Sequence, residues 1–235
     1  LEYQLLQRFR ELFDGTLYRH RDASLGDSVA IRLFEDLYHV RKSEKLNARI
    51  ETGRSILNVQ NVLRGKTARR GDGTFGEAVP NASIIREDGF AVARGQIATV
   101  EIGVEVKILA KAMIKQVDRV MTVMENQAQH FRRGGGSAIC IGVVGVNYAD
   151  RCTSYEGDRE YPTDGRGRKH PCQEAPEAEK RIAGRVAPKF DEFLVLRFRA
   201  RNVAPFDFEW VDCKDTELDY GAILTRVCRD YDRRF

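Results

Sequence analysis

From Thr99 to Lys107 the chain alternates without a break: Val100, Ile102, Val104 and Val106 fall on one side, Glu101, Gly103, Glu105 and Lys107 on the other. A period of two is that of a strand with one face on a core, so the opposite face carries two carboxylates and an ammonium within about 20 Å. The spacing then changes. Between about Ile108 and Gln127, Leu109, Met113, Val117, Val120, Met121 and Met124 recur at helical intervals, while Lys111, Lys115 and Arg119 recur every four residues with Gln116 beside them. This predicts a helix with a basic flank. Ser137 to Val146 is an apolar run of strand length after three glycines, which predicts a central strand covered on both faces.

Upstream, Leu5, Leu6, Phe9, Leu12 and Phe13 predict a helix that ends at Asp14-Gly15, and Val29, Ile31, Leu33, Phe34, Leu37 and Val40 predict a second from about Asp27. A third is expected through Leu46, Ile50, Ile56, Leu57, Val59 and Val62, with a break near Gly53. These form an expected helical annex over residues 1–73, closed by the basic, glycine-rich loop Arg64–Gly73, with an α/β core over 74–235. Residues 149–190 are polar and turn-rich and read as an insertion. Phe193 to Arg201 alternates again. Its Arg197, Arg199 and Arg201 either contact DNA or keep a charged strand soluble and ion-paired, and a strand at 206–211 and a helix at 218–231 close the chain.

The chain has 235 residues, is 42% hydrophobic and carries a net charge of +4, enough for a sizeable core with a mild preference for anionic partners. Its five cysteines form no CxxC pair and suit a reducing compartment. No apolar run reaches the roughly 20 residues of a membrane span and no secretory leader is evident, so a cytoplasmic protein without a membrane partner is expected. The first residue is Leu1, as in a piece of a longer polypeptide. Gly65-Lys66-Thr67 lacks the upstream glycine of a phosphate-binding loop, and His170 with Cys172 lacks further zinc ligands at recognisable spacing.

Hard cations such as Mg²⁺ take carboxylate oxygens and keep waters, so one or two carboxylates plus a substrate phosphate complete their shell. Glu105 can supply one such oxygen. Lys107, roughly 7 Å further along the same face, is placed to orient or deprotonate a water and to offset charge on phosphoryl oxygens. Glu105-Val106-Lys107 thus resembles the (D/E)XK half-motif of the PD-(D/E)XK nucleases, the restriction-endonuclease-like superfamily, and the strand, helix, buried strand order matches that family's core.

The resemblance implies a restriction-endonuclease-like mixed sheet flanked by helices and a Mg²⁺- or Mn²⁺-dependent DNA endonuclease, of the kind found in restriction and anti-phage defence. It also implies a first carboxylate on the preceding strand, usually an aspartate after proline, whereas Pro80 is followed by Asn81. Asp88 is the preferred replacement, because a hairpin centred between Gln96 and Ile97 places it opposite Glu105, about 5 Å away. Glu77 and Glu101 are the alternatives for the metal. The expected catalytic set is Asp88, Glu105 and Lys107, and the expected DNA contacts are Lys111, Lys115, Gln116, Arg119, Arg69 and Arg70. A homodimer or larger assembly is a further expected partner. The competing reading is a scaffold or nucleic-acid-binding domain of the same fold that does not cut.

Overall fold

The computed structural model describes residues 2–20, 22, 24–58, 62–63, 66–67, 71–111, 113–133 and 137–235, with backbone alone at 62–63 and 66–67. Three helices, α1 (Gln4–Glu11), α2 (Ser24–His39) and α3 (Glu44–Glu51), precede strands β1 (Ser55–Asn58), β2 (Val62–Leu63), β3 (Lys66–Thr67), β4 (Gly73–Glu77), β5 (Ile84–Ile85), β6 (Arg94–Gly95) and β7 (Ile102–Leu109). Then follow α4 (Met113–Arg132), β8 (Ile139–Asn147), β9 (Thr153–Glu156), β10 (Arg159–Pro162), α5 (Pro171–Arg185), β11 (Glu192–Ala200), β12 (Phe208–Trp210) and α6 (Cys213–Arg234).

Eight strands form one mixed sheet in the order β12-β11-β8-β7-β4-β1-β6-β5. Its centre is parallel: β7 pairs with β8 and β8 with β11, and α4 and α5 supply the crossovers that parallel neighbours require. On the other side β4 runs antiparallel to β7, and β1 antiparallel to β4. The fold is therefore α/β, a mixed sheet flanked by helices.

The alternation of β7 divides its neighbours. Ile102, Val104 and Val106 enter one core with Phe9, Leu33 and Phe34 of α1 and α2 and with Tyr220 and Tyr231 of α6. On the opposite face Leu109, Cys140, Val144 and Val146 pack under Met113, Val117 and Met121 of α4 and Ala175, Ala178 and Ile182 of α5. All nine residues of β8 are buried, as expected of a strand covered twice. Each large apolar side chain sunk in this way stabilises the fold by roughly 1.5–3 kcal/mol.

Several expectations need correction. The first 73 residues are not an annex, because α1 and α2 share the main core and β1 lies within the sheet, between β4 and β6. The third helix stops before Gly53, whose φ of +68° is a left-handed turn, and Ile56 and Leu57 belong to β1. Strand β7 runs on to Leu109, so Lys111 precedes α4 instead of riding on it.

The polar stretch 149–190 contains the hairpin β9–β10 and the whole of α5. Pro171 there occupies the first helical position, where its missing N–H costs nothing, and Gln173 Oε1 accepts from His170 N at 2.9 Å. The arginines of β11 and the one just after it are all paired: Arg197 with Glu179, Arg199 with Glu209 and Arg201 with Asp150. All five cysteines are free thiols, and His170 Nδ1 is engaged by Thr163 Oγ1 at 2.8 Å. No helix among the described residues is long and apolar enough to cross a membrane.

Candidate active site

The β4–β7 ladder pairs Phe75 with Ile102, Thr74 with Gly103 and Gly73 with Val104, so the next position outward sets Asp72 across from Glu105. Asp72 Oδ2 accepts from the Val106 amide at 2.7 Å. Lys107 Nζ lies 2.5 Å from Glu105 Oε1 and 3.4 Å from Asp72 Oδ2, and donates to the Val106 carbonyl at 3.0 Å. Two carboxylates and a main-chain oxygen thus converge on one cation. Close packing holds them there. Gly26, near the start of α2, packs closely beside Asp72: a Cβ there would sit 3.2 Å from the Asp72 carboxyl carbon, and the carboxylate would have to give by a few tenths of an ångström.

Glu105 is 3% exposed, and its Oε2 is buried without a hydrogen-bond partner. Burial first, and then the negative charge of Asp72, push its carboxyl up to about 7, against the opposing pull of Lys107. Burial alone would lower the Lys107 ammonium, but the charges of Glu105 and Asp72 outweigh it and hold it above its usual value. Lys107 is therefore a fixed cation in this arrangement and not a base.

Asp72 and Lys107 lie at the floor of a cleft of about 1030 Å³. One wall is the Tyr18–Gly26 segment leading into α2, another is α4 with Lys115, Gln116 and Arg119, and a third is the β9–β10 hairpin with Tyr155 and Tyr161. Lys111 ties floor to hairpin, donating to Ser154 Oγ at 2.8 Å and to the Tyr161 carbonyl, and burial lowers its pKa. Lys115, Gln116 and Arg119 are exposed along the rim. His20 also lines the cleft, with neither ring nitrogen hydrogen-bonded. Burial and then Lys111 push its imidazole down to about 4, so it is neutral near pH 7.

The other expected ligands lie elsewhere. Asp88 sits in an exposed turn between β5 and β6, with β1 and β4 intervening before β7, so the 88–105 pairing does not form. Glu77 is at the far end of β4 from Asp72, about 17 Å away by strand rise and 3.7 Å from Arg54. Glu101 is 3% exposed and sealed: Arg49 pairs with it, Tyr231 donates to Oε2 at 2.5 Å and Ser55 to Oε1 at 3.4 Å. Arg69 and Arg70 lie outside the described residues. Asn81, where the resemblance would place an aspartate, adopts φ +65° and is a turn residue.

Sequence reasoning thus missed Asp72, which Gly71-Asp72-Gly73 disguised as part of a loop, and the wall residues Tyr18 and His20. The usable signal was Phe75, an apolar residue whose pairing with Ile102 sets the register. Among the described residues no group of three or more His, Cys, Asp or Glu side chains is placed to hold an ion. The donors at Lys107 are two carboxylates and a carbonyl, a hard-oxygen set whose chemistry suits Mg²⁺ with water and phosphate completing the shell, and Glu105 Oε2 is a further buried oxygen without a hydrogen-bond partner. Neither the protein-family models nor the curated proteins contain a match to the chain.

Proposed function

We propose that the protein is a metal-dependent phosphodiester hydrolase of the PD-(D/E)XK kind, with Asp72, Glu105 and Lys107 as its motif. More particularly, it is a Mg²⁺- or Mn²⁺-dependent DNA endonuclease of restriction or defence type. The observation that carries this reading is the convergence of Asp72, Glu105 and Val106 oxygens on the Lys107 ammonium at the floor of a basic cleft. The adjacency β1-β4-β7-β8, antiparallel up to β7 and parallel beyond it, agrees with the core that the resemblance implies. A glycine, Gly71, precedes the aspartate in place of proline.

Asp72 and Glu105, with the Val106 carbonyl, would hold the ion, which when bound supplies Lewis acidity toward water and phosphoryl oxygen. Glu105 must first release its proton, which its pKa of about 7 permits near neutrality. Lys107, permanently charged, then faces the phosphate and stabilises the negative charge that grows on its oxygens. Lys115 and Arg119 grip flanking phosphates from the rim, and Gln116 adds a neutral donor. The non-cutting alternative drew on Asn81 and on the modest net charge of +4, and the second ground stands. Asp72 removes the first by supplying the carboxylate from another segment.

The test is incubation of purified protein with single-stranded and duplex circular DNA in Mg²⁺ or Mn²⁺. Asp72→Asn, Glu105→Ala and Lys107→Ala are expected to abolish cutting with circular dichroism unchanged, while Asp88→Asn and Glu77→Gln cut like the parent. Cutting retained by the Asp72 and Glu105 variants would remove the assignment.

A further inference from the structure

The cleft is walled for something narrower than a double helix. Its floor is recessed: the side chains of Asp72 and Lys107 are 16% and 26% exposed, and Glu105, paired with Lys107 and 4% exposed, lies outside the lining. A volume of about 1030 Å³ is at the upper end of the roughly 300–1,000 Å³ that enclose one small ligand, room for a few nucleotides. A duplex, with grooves about 12 and 6 Å wide, offers its phosphates from a stiff, broad surface, which suits so recessed a floor less well than a flexible strand does.

The walls also carry the wrong chemistry for a duplex and the right one for a strand. Tyr161 and Tyr155 line the hairpin side, both partly exposed, and the Arg168 guanidinium lies 5.5 Å from the Tyr161 ring centre. Val123, among the few large apolar side chains left exposed, lines the α4 side. Apolar and aromatic faces between cations gain nothing from a duplex, whose bases already stack on one another, but each unstacked base has a face to offer them. Lys115 and Arg119 on α4, and Lys169 beyond the hairpin, border the cleft without an ion pair among the described residues. Phosphates of one strand can meet cations on both sides.

We infer that the cleft takes a single DNA strand, with bases against Tyr161 and Tyr155 and phosphates between α4 and the Arg168–Lys169 loop. For the chemistry at its floor this rests on the hydrolase reading, but strand binding does not require cutting. The junction of a flap or overhang with a duplex is then the natural place of attack, because there a strand is free to enter while the duplex stays outside.

Fluorescence anisotropy in EDTA, at fixed salt, measures this without the metal, using labelled oligothymidylate and a duplex of equal length. The parent should bind the strand at least about tenfold tighter than the duplex. Tyr161→Ala should weaken strand binding by about tenfold and leave the duplex unaffected, whereas Tyr161→Phe, which keeps the ring, should bind like the parent. Arg168→Gln should reduce the salt dependence of strand binding by roughly one phosphate contact. Equal affinity for strand and duplex, tighter binding of the matching RNA strand, or an unaltered Tyr161→Ala would each overturn the inference. Strand binding without cutting of any DNA in Mg²⁺ would instead sink the hydrolase reading and leave this one standing.

Discussion

Glu101 and Glu105 lie four residues apart, one just before β7 and one within it, and are equally buried, yet their surroundings differ completely. Glu101 is met by Arg49, Ser55 and Tyr231, so both of its oxygens are satisfied. Glu105 has Lys107 on one oxygen and nothing on the other. A buried acceptor left without a partner costs free energy, and a buried carboxyl perturbed in this way at the edge of a cleft is a candidate for function under the proposed reading. Burial alone does not separate a structural carboxylate from a functional one; the completeness of its partners does.

The sharpest way to break this comparison is to make the same change at both ends. Glu105→Gln should lower the cutting rate by at least about 10³-fold, about 4 kcal/mol of barrier, with the smaller change in melting temperature of the two, because Lys107 keeps Asp72 and the Val106 carbonyl as partners and a buried carboxyl is relieved of its charge. Glu101→Gln should do the reverse. It strands Arg49 in a mostly buried position, at a cost of about 3–5 kcal/mol and a fall in melting temperature of roughly 10 °C, while the folded fraction cuts normally. Matching losses of stability and rate at both positions would erase the distinction.

A smaller effect follows from acidity. Because Glu105 must be ionised to hold a cation, single-turnover cutting at limiting Mg²⁺ should climb about tenfold per pH unit below about 7 and level off above it. Its contribution to folding has the opposite slope. A carboxyl held at about 7 against 4.5 for the free side chain favours the native state below the lower value, and this is lost as the pH rises through the upper one. A flat rate profile across neutrality would contradict the burial that sets this carboxyl apart.

The smallest effect is expected where charges are already matched. Arg197 on β11 is paired with Glu179, an exposed bridge worth about 0–1 kcal/mol, so Arg197→Ala should leave DNA affinity unchanged and stability within about 1 kcal/mol. The same assay on Lys115→Ala should show weakened binding.

The sequence displayed what repeats locally. The alternation of β7, the unbroken apolar run of β8 and the stripes of α1, α2 and α4 were all readable because period and burial coincide in them. Half of the site was readable too, since Glu105 and Lys107 share a strand. The other half was not. Residues 79–101 cross to the far edge of the sheet and form β5 and β6, so the neighbour of β7 is not the segment just before it but β4, and the hairpin that would have paired Asp88 with Glu105 never forms. Gly71-Asp72-Gly73 carries the local chemistry of a turn, and only the long-range ladder gives it another meaning. Helix α5 was hidden differently, because its buried face is largely alanine among charges and its two prolines resemble interruptions.

One ring links the two halves of this machinery. Phe131, near the end of α4, rests directly on Gly103 and Gly71, where neither strand has a side chain in the way. The helix that offers Lys115 and Arg119 to the cleft near its start is thus seated near its end by one ring on two glycines. A side chain at either glycine would drive into that ring, so the seat of α4, and with it the placement of both cations, depends on two positions where the chain carries none.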